Sequence, residues 1–123
     1  MKYGFFDEKE LQNPLDPVRS PMPHVVRDEL LTLLNRIRRA WGRPIIVNSG
    51  YRSPEWNRKV GGVENSWHTK GLAADIRPEK QEDLAELQDL CLDLNLDGGV
   101  GLYDSFVHVD ARGRFARWDN RTK

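Results

Sequence analysis

His68 and Asp75 are separated by six residues within Asn65–Asp75, NSWHTKGLAAD, among them a glycine and two alanines. A second stretch, Phe106–Asp110, FVHVD, centres on His108. Two imidazoles and one carboxylate make an open three-ligand set, the kind that holds a catalytic metal and leaves a position for water. The same donor types also form the facial triad of non-haem iron oxygenases. Arg52 stands in a constrained loop between Tyr51 and Ser53-Pro54. Its planar donors suit a carboxylate or a developing oxyanion.

The elements around these residues must bring them together. Alternation along Leu72–Ile76 puts Asp75 on one strand face with Ala73, and Leu72, Ala74 and Ile76 on the other. Along Phe106–Asp110, His108 shares its face with Phe106 and Asp110, while Val107 and Val109 turn to the core. Each strand therefore offers one site face and one core face, and neighbouring strands would place Asp75 beside His108. His68 closes the triangle from the preceding loop. Asp110 reads as a residue that supports His108 from behind. Tyr51, Trp67, Tyr103 and Trp118 are candidate cleft walls.

Elsewhere, Val26, Leu30, Leu33, Leu34, Ile37 and Trp41 fall at helical spacing from His24 to Trp41, and Gly42 and Pro44 end that helix. Ile45–Val47 reads as a strand, and Glu55–Val60 as a helical turn. In Glu79–Leu94, Leu84, Leu87, Leu90, Cys91 and Leu94 mark a second helix. Val100–Tyr103 and Phe106–Asp110 read as a hairpin turning at Asp104-Ser105. The expected fold is a small α+β domain, a largely antiparallel sheet flanked by two main helices. Residues 1–23, with four prolines, read as an irregular lead-in, 24–118 as the core and 119–123 as a polar tail. His24 reads as a surface residue.

A chain of 123 residues predicts one domain. Its 19 basic and 19 acidic residues cancel, which argues against a coat for nucleic acid or anionic membrane. No apolar run is long enough to span a membrane, and the acidic start MKYGFFDEKE does not read as a secretory signal. The single Cys91 fits synthesis in a reducing compartment such as the cytoplasm. A monomer is expected.

The motifs SGYRS at Ser49–Ser53, NSWHTKGLAAD, and GLYDSFVHVD at Gly101–Asp110 followed by Arg117-Trp118 resemble the D-Ala-D-Ala carboxypeptidases, the VanY-like family-15 zinc peptidases. These are grouped with lysostaphin-type peptidases and the hedgehog domain. The pattern S-x-H-x-x-G-x-A-x-D is met at Ser66, His68, Gly71, Ala73 and Asp75. The resemblance implies one zinc per chain on His68, Asp75 and His108, and a substrate-facing Arg52; Ser66, Trp67, Tyr103 and Trp118 are further candidates for substrate contact. It implies a hedgehog/D-Ala-D-Ala-peptidase-like fold and hydrolysis of amides in peptidoglycan stem peptides or their cross-links, by a phage lytic or bacterial wall enzyme. Many members carry an acidic residue three before the last histidine and a His-x-His pair, where this chain has Ser105 and Phe106. Asp104, next to Ser105, is then the expected general base. A zinc-bearing binding module of hedgehog type, without hydrolysis, is the alternative.

Overall fold

The computed structural model describes residues 2–11, 26–62 and 66–122. His24, Asn65 and the prolines at 14, 17, 21 and 23 fall outside these residues. The lead-in, expected to be irregular, begins with a strand pair, Lys2–Tyr3 (β1) and Phe6–Asp7 (β2), then one helical turn, Glu8–Leu11 (α1). Two-residue strands are too short to show any periodicity in sequence. Phe6 and Leu11 are both completely buried and join the core.

The first long helix is Asp28–Trp41 (α2). Asp28 and Glu29 lie in its first turn and Arg38 and Arg39 in its last, matching the helix dipole at both ends. It ends where Gly42 takes a left-handed conformation, φ 74°, and its N–H bonds the Arg38 carbonyl. Leu30, Leu34 and Ile37 are fully buried along one side, each burial stabilising by about 1.5–3 kcal/mol.

Ile45–Ser49 (β3) follows, then Pro54–Lys59 (α3), capped by the Ser53 hydroxyl. A single 3-10 turn, Trp67–Lys70, leads into Ala73–Pro78 (β4). The second long helix, Leu84–Leu94 (α4), starts later than its sequence pattern, after a 3-10 turn at Gln81–Asp83. Gly99–Leu102 (β5) and Val107–Asp110 (β6) form the expected hairpin. A further strand, Ala116–Asp119 (β7), runs across the expected boundary between core and polar tail, where sequence marked no element.

The main sheet runs β3-β4-β6-β5-β7. All its pairings are antiparallel except β5 with β7. One face, with Ala74, Ile76, Val100, Val107 and Val109, packs with Leu30, Leu34 and Ile37 of α2 and Leu87 and Cys91 of α4 into one core. The helices therefore cover that face, and the opposite face is left for polar side chains. This matches the expected small α+β domain.

Candidate metal centre

Register sets up the opposite face. Asp75 on β4 pairs directly with His108 on β6, His108 with Gly101 on β5, and Gly101 with Trp118 on β7. Because side chains alternate along a strand, these aligned positions all project to the same side. Asp75 Oδ1 lies 2.9 Å from His108 Nδ1. His68 arrives from the 3-10 turn, its Nε2 3.3 Å from the same oxygen. The turn is shaped for this: the Ser66 hydroxyl accepts the His68 N–H, and Gly71 closes it with φ 71°. The three expected ligand atoms lie within 4.8 Å of one another, and all three residues are buried.

The far nitrogens decide what the near ones offer. His68 Nδ1 lies 2.8 Å from the Gly50 carbonyl, which can only accept, so Nδ1 carries the hydrogen. His108 Nε2 lies 2.8 Å from Asp110 Oδ2 and donates in the same way. Both neutral rings then aim a lone pair at an ionised carboxylate. Three acceptors converging in a buried space repel unless a cation sits among them, and one proton can serve only one pair. Ligand atoms around tetrahedral zinc, each about 2.0–2.1 Å from the metal, stand roughly 3.3 Å apart. The donor set and its spacing fit a divalent metal.

The surroundings favour positive charge at this point. Burial opposes ionisation of Asp75, but the bonds and charge of His108 and His68 outweigh it and hold its carboxyl well below the usual range. Burial alone would lower the His108 pKa; its bonds to Asp110 and Asp75 raise it instead. Asp110 is fully buried behind His108 and accepts from Gly99 N–H at 3.0 Å and from Arg112 Nε and Nη2 at 2.8 and 2.7 Å. Despite burial, these partners keep it ionised, its pKa well below the usual range. Such outer bonds orient a ligand histidine and raise its basicity.

A cleft of about 420 Å³ opens over the triad, lined among others by Arg52, Ser66, Trp67, Tyr103, Arg112 and Trp118. Arg52 Nε bonds Ser49 Oγ, Nη1 bonds Asn57 Oδ1, and Nη2 lies 3.5 Å from Asp75 Oδ2. Trp118 lies across Gly101, where any Cβ would collide with its indole at 2.3 Å. Its ring centre is 5.1 Å from that of His108, and its N–H donates to the Tyr103 hydroxyl at 2.9 Å.

Asp104, the expected general base, is not brought here. It sits exposed on the β5–β6 turn and faces a different cleft, beside Gln81, Asp119 and Arg121. Its carboxylate accepts from the Thr122 hydroxyl and N–H, bonds that lower its pKa. The turn keeps Tyr103 and Phe106 on the triad side, stacked 4.4 Å apart, and so sends the residues between them outward. Asp75 is the one carboxylate lining the triad cleft among the described residues. Phe106, expected on the His108 face, lines it, and so does Arg112, which was not singled out from sequence; its parity with His108 and Asp110 was the available signal.

Comparison with known proteins agrees with this geometry. Peptidoglycan L,D-endopeptidase MepK of Escherichia coli (strain K12) is 36% identical over 75 residues, covering 55% of this chain and 40% of that protein. The Shigella flexneri protein of the same name matches to the same extent. Zinc D-Ala-D-Ala carboxypeptidase of Streptomyces albus G is 50% identical over 44 residues, 35% of this chain and 17% of that protein. The match thus spans less than half the length of these relatives. The sequence profile of the Peptidase M15 family matches residues 6–110, a span that holds the whole triad together with Gly50 and Asp110, the partners of its two histidines. The chain belongs to the Peptidase M15 family.

Proposed function

We propose that the protein is a zinc-dependent peptidase that hydrolyses amide bonds of peptidoglycan stem peptides or their cross-links. The observation that carries this is the convergence of His68 Nε2, Asp75 Oδ1 and His108 Nδ1 as three lone-pair donors at the floor of an open cleft. Bound there, zinc would lower the pKa of a coordinated water to about 7 and polarise the scissile carbonyl. The relatives named for peptidoglycan and D-Ala-D-Ala substrates support the substrate class.

The chain's own residues then divide the work. Gly50 and Asp110 fix the two rings from behind. Among the described residues Arg52 keeps a second hydrogen on each terminal nitrogen beyond those used by Asn57 and Asp75, and offers it to negative charge developing on the carbonyl oxygen. Tyr103 accepts from Trp118, so its own hydrogen is left for a substrate oxygen. Trp67 and Trp118 supply flat walls on which a peptide can lie. Ser66 acts through the turn that carries His68. The setting is the cell wall, in a phage-borne lytic enzyme or a bacterial wall enzyme.

The test is metal analysis of the purified protein followed by digestion of muropeptides with and without a chelator, products identified by mass. One zinc per chain and chelator-sensitive cleavage at a peptide amide are expected. Peptide binding without cleavage at full zinc occupancy would indicate the non-catalytic module instead, and stoichiometric iron would displace the peptidase reading.

A further inference from the structure

Arg112 is bound into the site from behind but left open at the front. Its Nε and Nη2 form a two-point pair with Asp110, whose side chain is fully buried. Among the described residues its Nη1 has no acceptor, and the side chain lines the triad cleft. The guanidinium lies 5.1 Å from the Trp67 ring centre and 5.4 Å from that of Trp118, within cation–π reach of both walls. A fork held at one edge by a buried carboxylate and bracketed by two indoles loses little freedom when its remaining edge binds something.

Charge says what that something is. Among the described residues two arginines, Arg52 and Arg112, and one carboxylate, Asp75, line the cleft beside the two histidines, and the buried Asp110 behind His108 balances the second arginine. A divalent metal on the triad therefore leaves the cleft with a net positive charge of about two. Arg52 sits with Asp75 on the β3–β4 side, and Arg112 follows β6, beside the tryptophan of β7. The two arginines thus address different parts of a bound chain.

We infer that Arg112 is a specificity residue that holds a free carboxylate of the substrate beside the amide to be cut. Two carboxylates could serve: the end of a peptide chain, or a side-chain carboxylate on a residue flanking the scissile bond. The inference rests on the peptidase reading for its role, though the binding it describes can be measured without turnover.

The test is calorimetric binding of short acidic stem-peptide fragments to the zinc-loaded protein, comparing each fragment with forms amidated at the chain end or at the side-chain carboxylate. Amidation of one of the two is expected to weaken binding on the order of tenfold or more, and the position that matters identifies the source. Arg112→Gln, its zinc content confirmed, should erase that discrimination, and Arg112→Lys should keep part of it. Arg52→Lys should leave it intact. Indifference to both amidations, or discrimination lost in Arg52→Lys and kept in Arg112→Gln, would overturn the inference. If Arg112→Gln fails to load zinc, the amidation series on the unaltered protein together with Arg112→Lys still decides. Discriminating binding without cleavage would support the carboxylate site while defeating the peptidase reading. Cleavage without discrimination would do the reverse.

Discussion

His108 and Asp110 stand two residues apart on one strand and face the same way, so Nε2 of one meets Oδ2 of the other at 2.8 Å. The contact sets which nitrogen of His108 is free. Replacing Asp110 by asparagine removes the ionised acceptor and frees Arg112. Zinc affinity of Asp110→Asn should fall about 10–100-fold, read by competition with a chelator of known strength. Unchanged affinity would mean that His108 is oriented by packing against Trp118 alone.

Asp104→Asn should leave turnover close to that of the parent, since its carboxylate is occupied by Thr122 outside the triad cleft. A fall on the order of 100-fold at full zinc occupancy, the loss expected for a general base, would return Asp104 to the chemistry.

Arg52 joins Ser49, Asn57 and Asp75 through three different nitrogens, a geometry that lysine cannot reproduce. Arg52→Lys should lower kcat on linear stem peptides and cross-linked dimers alike, with KM nearly unchanged, because its spare hydrogens act on charge that develops only during the reaction. Steady-state kinetics on both substrates would show it. A defect confined to KM of the linear peptide would make Arg52 a terminal-carboxylate anchor.

Gly101→Ala should destabilise the fold by about 1–3 kcal/mol, as overpacking does, because the new methyl would meet the Trp118 indole at 2.3 Å. The shift should appear in the denaturant midpoint. Tryptophan fluorescence should change with it, since the Tyr103 contact depends on where Trp118 lies.

Cys91 is completely buried, and burial pushes its thiol up to about 12. Only the thiolate is nucleophilic, so the native protein should not react with a thiol reagent at neutral or mildly alkaline pH. It should react fully once unfolded. Rapid labelling of the native state would show that α4 opens locally.

Much of the metal centre was legible because strand parity is strict. In 72–76 and 106–110 the apolar positions identify the core face, so the remaining Asp75 and His108 had to share the other, and the structure places them in register. The two helices were equally plain from Leu30 to Trp41 and Leu84 to Leu94. Other features left weaker traces. β7 is four residues long, half-buried, and carries Arg117 and Asp119, so no apolar alternation marks it; its parallel pairing with β5 is a tertiary fact. Asp104 was chosen for its adjacency to Ser105, and adjacency on a tight turn says little about direction. Arg112 was passed over because it lies just beyond the strand, although it keeps the same parity.

One glycine ties the start of the chain to the metal face. The backbone at Leu11 runs so close to Gly50 that a Cβ there would meet the Leu11 carbonyl oxygen at 2.4 Å, and that carbonyl accepts the Tyr51 N–H at 2.8 Å. The Gly50 carbonyl in turn holds the His68 ring. Residues 2–11 therefore act as a splint for the His68 ring. Trimming the protein to its long helices and sheet would leave every ligand present in the polypeptide and take away the brace that keeps one of them pointed at the ion. A minimal portable version of this domain has to include the segment that looks most dispensable.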